Sequence, residues 1–99
     1  MPAPRVEIRY CTQCRFMLRA AYMAQELLTT FEKELGEVAL VPGAGGIFEI
    51  ALDGEVLASN RPDGRASARE TKRAPEVAEV KRLLRDRIAP DRQIGHDSH

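Results

Sequence analysis

The chain has 99 residues, enough for one domain with a single modest core and too few for a second. Apolar residues make up 43% and charged residues 30%, the mix of a soluble globular domain and not of a disordered chain. Its 15 basic and 15 acidic side chains cancel, so no global field draws it toward nucleic acid or an anionic membrane.

The opening residues, Met1 to Arg5, carry no apolar signal-peptide core, and no segment is long enough to span a bilayer. The expected location is cytoplasmic. Arg5 to Tyr10 then alternates: Val6, Ile8 and Tyr10 point one way, Glu7 and Arg9 the other. That is a strand with one apolar face.

Cys11-Thr12-Gln13-Cys14 follows at once and holds the only two cysteines. After it the period changes. Phe16, Ala20, Met23, Ala24, Leu27, Leu28, Phe31 and Leu35 fall at steps of three and four, which predicts an amphipathic helix from about Cys14 to about Leu35. Gly36 is the expected left-handed stop. Such a helix sets the dithiol beside unpaired N–H groups and the positive end of a helix dipole, where a thiolate is favoured. In a reducing compartment a structural disulfide is disfavoured, and bridging so short a loop stabilises little. A redox dithiol is therefore the preferred reading. A metal site is the sharper alternative, but structural zinc wants four ligands, and the only histidines are His96 and His99 on the tail. No metal is expected; an inert pair is the bland alternative.

Val38 to Val41 is a short apolar run, the predicted second strand, ended by Pro42-Gly43-Ala44-Gly45-Gly46. This glycine loop lacks the Lys and Ser/Thr of a phosphate-binding loop and leads into a strand, so it reads as a turn shaping the redox site. Ile47 to Leu52 is the third strand. Asp53-Gly54 is a strong hairpin turn, because both positions favour positive φ. Glu55 to Ser59 returns as the fourth strand. Arg61 to Ala74 has no apolar period and reads as an exposed, flexible, solvated connection despite five basic residues. Pro75-Glu76 opens the last helix, whose stripe is Val77, Val80, Leu83, Leu84 and Ile88. Pro90 ends it, and residues 91–99 form a polar tail.

The order β-α-β-β-β-α, with a right-handed parallel crossover first, predicts a single domain over residues 1–99. Its fold class is α/β: a two-layer sandwich with a thioredoxin-like core, a four-stranded mixed sheet and both helices on one face. The dithiol lies beyond the carboxyl end of the first strand, where open α/β sheets bind ligands.

Two motifs resemble the small redox proteins related to selenoprotein W, the SelT/SelW/SelH or Rdx-type family. One is Val6 to Tyr10 running into Cys11-Thr12-Gln13-Cys14-Arg15. The other is Pro42-Gly43-Ala44-Gly45-Gly46-Ile47-Phe48-Glu49-Ile50, followed by Asp53-Gly54. The resemblance implies a thioredoxin-like fold and a thiol–disulfide oxidoreductase role, with a disulfide, glutathione or peroxide as substrate. It implies no resident cofactor, and leaves glutathione as co-substrate. Many relatives carry selenocysteine where this chain has Cys14, which points to Cys14 as the attacking residue; the thioredoxin pattern points to Cys11. The supporting residues are Thr12, Gln13 and Arg15, which flank the thiols, with Arg15 a candidate to hold a thiolate. Gly45 and Gly46 join them, their backbone expected to approach the dithiol closely, as does Phe48, expected in the core. The connection at 61–74 looks longer than is usual in the family, and Ala74 stands where an aromatic residue is common. A redox-gated interaction module with a protein partner is the alternative reading, and a metal-binding Cys-x-x-Cys protein another.

Overall fold

The computed structural model describes residues 3–61 and 73–92. β1 (Arg5–Cys11) buries Val6, Ile8 and Tyr10 and turns Arg5, Glu7 and Arg9 outward, the period of two that a half-buried strand requires. α1 (Met17–Thr30) follows, then three more strands. β2 (Glu37–Gly43) pairs parallel to β1 on one side, and β3 (Phe48–Leu52) pairs antiparallel on the other. β4 (Glu55–Ser59) hairpins back onto β3, which gives the sheet order β2-β1-β3-β4. Asp53 and Gly54 close that hairpin with φ of 49° and 89°, and Asp53 Oδ1 accepts the Arg5 N–H at 2.9 Å. α2 (Val77–Ile88) is the last element.

Both helices cover the same face. Ala20, Met23 and Leu27 of α1 and Val80 and Leu84 of α2 meet Val6, Ile8, Phe48 and Ile50 of the sheet in one core. The architecture is the two-layer α/β sandwich with a mixed sheet that the residue pattern implies. No helix among the described residues is long and apolar enough to cross a membrane.

Element ends depart from the sequence reading for local reasons. α1 starts at Met17, not Cys14, because Arg15 takes a left-handed backbone (φ 58°) that no helix accommodates. It ends at Thr30, and a turn over 31–34 carries the pattern onward. The Leu35 N–H donates to the Phe31 carbonyl at 2.8 Å, so both side chains still reach the core. Gly36 is not left-handed. It is required by crowding: a Cβ there would lie 2.9 Å from Ala3 Cβ. β2 runs on through Pro42, which an edge strand tolerates. α2 begins at Val77, after an extended Glu76 (φ −94°, ψ 155°), so Pro75 precedes the helix instead of opening it. Arg61 and Ala74, the two ends of the predicted exposed connection, are buried. Residues 62–72 between them, and the tail from residue 93, lie outside the described residues.

An ion pair ties the two helices. Lys81 of α2 is buried, and its Nζ donates to Glu26 Oε1 of α1 at 2.9 Å. Its aliphatic stem covers the helix–helix contact while Glu26 keeps some solvent. Lys81→Ala is expected to lower unfolding free energy by about 1–3 kcal/mol, through lost packing and a lost charged bond. Lys81→Met keeps the stem and should cost less than about 1 kcal/mol. Urea-unfolding midpoints check both; equal losses would assign the effect to charge and not to packing.

Candidate functional site

β1 ends on Cys11. Strict alternation sends this residue to the open face with Arg9, yet it is only 2% exposed. The segment between β2 and β3 supplies the cover. The Cys11 N–H donates to the Ile47 carbonyl at 2.8 Å, and the Thr12 N–H to the Gly43 carbonyl at 3.2 Å. Residues 43–47 therefore close over the end of the strand. Cys14 lies on the turn that follows and is exposed, as are Thr12, Gln13 and Arg15. Phe16 anchors this turn from below: it meets the fully buried Phe48 edge-on, with ring centroids 5.4 Å apart at 87°. Phe48 is thus a core residue that supports the turn, not a surface platform. The cysteines precede the first turn of α1 and do not form part of it, as the predicted start at Cys14 would have had them. Arg15 and Phe16 separate Cys14 from the first helical residue, and the helix dipole fades within a turn.

Both cysteines are free thiols, and Cys14 Sγ–H donates to Cys11 Sγ at 2.8 Å. That bond is the largest influence holding the Cys11 pKa below the ordinary thiol value; burial works against it, and the N–H groups of Gly46, Gln13 and Cys14 reinforce it. Cys14 moves the other way. Its pKa is raised because its proton is held against Cys11, with desolvation and the negative charge on Cys11 adding to the effect. Of the two sulfurs, Cys11 is the more readily ionised and Cys14 the more firmly protonated. Arg15 is not among the groups that stabilise either sulfur. Backbone N–H groups take the place expected of its guanidinium and of the helix end.

Gly45 and Gly46 have φ of 70° and 79°. The backbone angle demands glycine at 45, and a Cβ there would sit 2.8 Å from Arg61 Nη2, displacing the guanidinium. Two residues that the sequence reading passed over hold this loop. Asn60 Nδ2 donates to the Gly46 carbonyl at 2.7 Å, and Asn60 Oδ1 accepts the Phe48 N–H at 2.9 Å. The Arg61 guanidinium donates to the Gly45 carbonyl. Strand register held a signal for Asn60: pairing Glu49 with Ser59 sets Asn60 opposite Phe48, beside the glycines. Arg61 carried none, because a basic residue opening a polar stretch looks solvated.

Among the described residues no group of three or more His, Cys, Asp or Glu is placed to hold a metal ion; His96 and His99 lie outside them. The sequence matches the Rdx family over residues 5–86. This chain belongs to the Rdx family. Two solved structures are similar along most of their length. A crystal structure of a Bordetella parapertussis protein is 49% identical, covers 87% of this chain and 99% of its own, and superposes with a TM-score of 0.73. A selenoprotein W-related protein from Vibrio cholerae is 39% identical over 85% of this chain and 95% of its own, with a TM-score of 0.71. Comparison with curated proteins gives no match. Membership of the Rdx family carries with it a thioredoxin-like redox role, and the close Cys11–Cys14 pair is its chemical counterpart here.

The shared proton has a testable sign. In Cys11→Ser the thiolate neighbour disappears, so the Cys14 pKa is expected to fall back toward the ordinary thiol value. Alkylation of Cys14 by iodoacetamide, which follows the thiolate fraction, should then set in at lower pH than in the parent. An unchanged pH–rate profile would mean that Cys11 does not hold the Cys14 proton.

Proposed function

We propose that the protein is a thiol–disulfide oxidoreductase in which exposed Cys14 attacks and buried Cys11 resolves. The observation that carries this reading is two free sulfurs 2.8 Å apart with opposite exposure. Exchange needs an in-line approach to a substrate sulfur, and Cys14 alone of the pair offers its sulfur to a bulky disulfide. With Cys11 ionised, its thiolate takes the Cys14 proton as Cys14 attacks R–S–S–R′. A Cys14–S–R bond forms, the S–S bond breaks, and R′–S⁻ leaves to be protonated by solvent. Cys11 then gives up its proton, eased by the N–H groups of Gly46, Gln13 and Cys14. Its thiolate attacks Cys14 Sγ and expels R–S⁻. Two electrons pass to the substrate, and the Cys11–Cys14 disulfide remains until an external thiol such as glutathione reduces it. A peroxide enters the same cycle by oxidising Cys14 to a sulfenic acid, which Cys11 condenses with release of water. A reducing cytoplasm suits the dithiol as resting form. Supporting this reading is membership of the Rdx family and the likeness to a selenoprotein W-related protein.

Cys11→Ser is expected to accumulate a mixed disulfide on Cys14 when treated with a small disulfide, while Cys14→Ser exchanges no faster than the uncatalysed reaction. Mass spectrometry of the trapped adduct reads the outcome. Adduct on Cys11 in the Cys14→Ser protein, with none on Cys14 in the other, would reverse the roles.

A second reading, a redox-gated interaction module, is favoured by one observation. Met17, Leu18 and Tyr22, on the helix that follows Cys14 in the chain, are exposed, Leu18 at 83%. Leu18 and Tyr22 border a cavity of about 530 Å³ between α1 and the start of α2. Exposed apolar surface on the helix that follows the dithiol suits the flank of a protein carrying a disulfide. Leu18→Gln is expected to weaken recovery of an oxidised protein partner at least about tenfold, the worth of one buried apolar side chain being lost, while small-disulfide turnover stays at the parental rate. Equal recovery from oxidised and reduced protein would remove this reading.

A further inference from the structure

We propose that Arg61 is a positioning residue for the redox pair, acting through the Gly45–Gly46 peptide, with Asn60 bracing the same turn. The proposal rests on the dithiol reading above and concerns what holds its resolving sulfur. The Gly45 carbonyl and the Gly46 N–H are two ends of one planar peptide group. Arg61, 4% exposed, donates from its guanidinium to the carbonyl end. The N–H end belongs to the loop pinned over Cys11, whose own N–H donates to the Ile47 carbonyl at 2.8 Å, and it favours the anionic form of both sulfurs. A cationic donor on the carbonyl polarises the group and strengthens the N–H as a donor, the cooperative effect expected of hydrogen bonds in series. The charge of a buried guanidinium thus reaches the sulfur through a peptide plane.

The turn needs such bracing. Two adjacent glycines with positive φ are the most permissive backbone beside the sulfurs. Asn60, 2% exposed, fixes the far side: its Nδ2 holds the Gly46 carbonyl at 2.7 Å, its Oδ1 takes the Phe48 N–H at 2.9 Å, and its own N–H donates to the Phe48 carbonyl at 3.0 Å. The Arg61 N–H donates to Ser59 Oγ at 3.0 Å, and Ser59 Oγ in turn donates to Glu49 Oε1 at 3.1 Å. Strand end, side chains and glycine turn form one hydrogen-bonded unit whose output is the direction of a single N–H.

The test titrates Cys11 alone, in the Cys14→Ser background, by thiolate absorbance. Arg61→Met is expected to lower the thiolate fraction near neutral pH by about threefold to tenfold, the scale of one weakened charge-assisted hydrogen bond. Arg61→Lys, which keeps the charge but not the planar fork, should recover part of the loss and decides the matter if Arg61→Met does not fold. Asn60→Ala should move the titration in the same direction. In the two-cysteine protein, Arg61→Lys should shift the equilibrium with glutathione toward the disulfide, because the reduced thiolate is less stabilised. A purely structural role lowers the thermal midpoint and leaves the titration of the folded variant where it was; that result overturns the proposal. The readout does not depend on which cysteine attacks, so the exchange mechanism and this inference fail separately.

Discussion

The placement of β1 between a parallel and an antiparallel neighbour is the constraint from which the site follows. β2 ends at the same edge of the sheet as β1, and β3 begins there. Their connection must therefore cross the carboxyl end of β1, spanning two strand spacings, roughly 10 Å. Residues 44–47 make that crossing. So short a bridge, with a reach of about 3.5 Å per residue, stays within several Å of the strand end. It lies down on the strand end, receives the Cys11 N–H on the Ile47 carbonyl, and buries a sulfur that alternation alone would leave in solvent. Burial of Cys11 is a consequence of topology, not of hydrophobicity; it stands apart from the main core.

Much of this was legible in the residues. The alternation of Val6, Ile8 and Tyr10, the three-and-four spacing after Phe16 and the Asp53-Gly54 turn each carry a local physical signal strong enough to place an element. Together they imply the layers and the mixed sheet. The ends were less legible. Phe31 and Leu35 continue the helical spacing, but a turn satisfies that spacing as well as a helix does, so the pattern reports burial and not hydrogen bonding. Arg15 in a left-handed conformation is invisible to propensity, since glycine or asparagine is the usual occupant.

The site divides along the same line. Its two sulfurs and its glycines announce themselves by type and spacing. What stabilises them does not. Backbone N–H groups exist at every residue but proline, and no sequence says which of them converge on an atom. Asn60 and Arg61 act through carbonyls of residues distant in the chain, so their chemistry appears only once β3 and β4 are in register. The same blindness made Arg61 look like the first residue of a solvated loop when it is among the most buried polar groups.

The two sulfurs make opposite use of this setting. A thiolate buried in apolar surroundings is disfavoured, and a protonated thiol at the surface is a weak nucleophile. One proton held between them relieves both difficulties. Cys11 carries the charge where N–H groups from the turn and from the crossing loop meet it. Cys14 keeps the proton where a substrate can reach its sulfur. In the proposed exchange, moving that proton inward frees the exposed sulfur to attack, and because Cys11 is the better-stabilised anion, the transfer back to solvent that readies it for resolution is also the easier one. An electrostatic environment supplied by a helix end would favour whichever sulfur lay nearest that end, the exposed one. A backbone cradle around the buried sulfur instead favours charge on the sulfur that the substrate does not reach, which is what the proposed division into an attacking and a resolving cysteine requires.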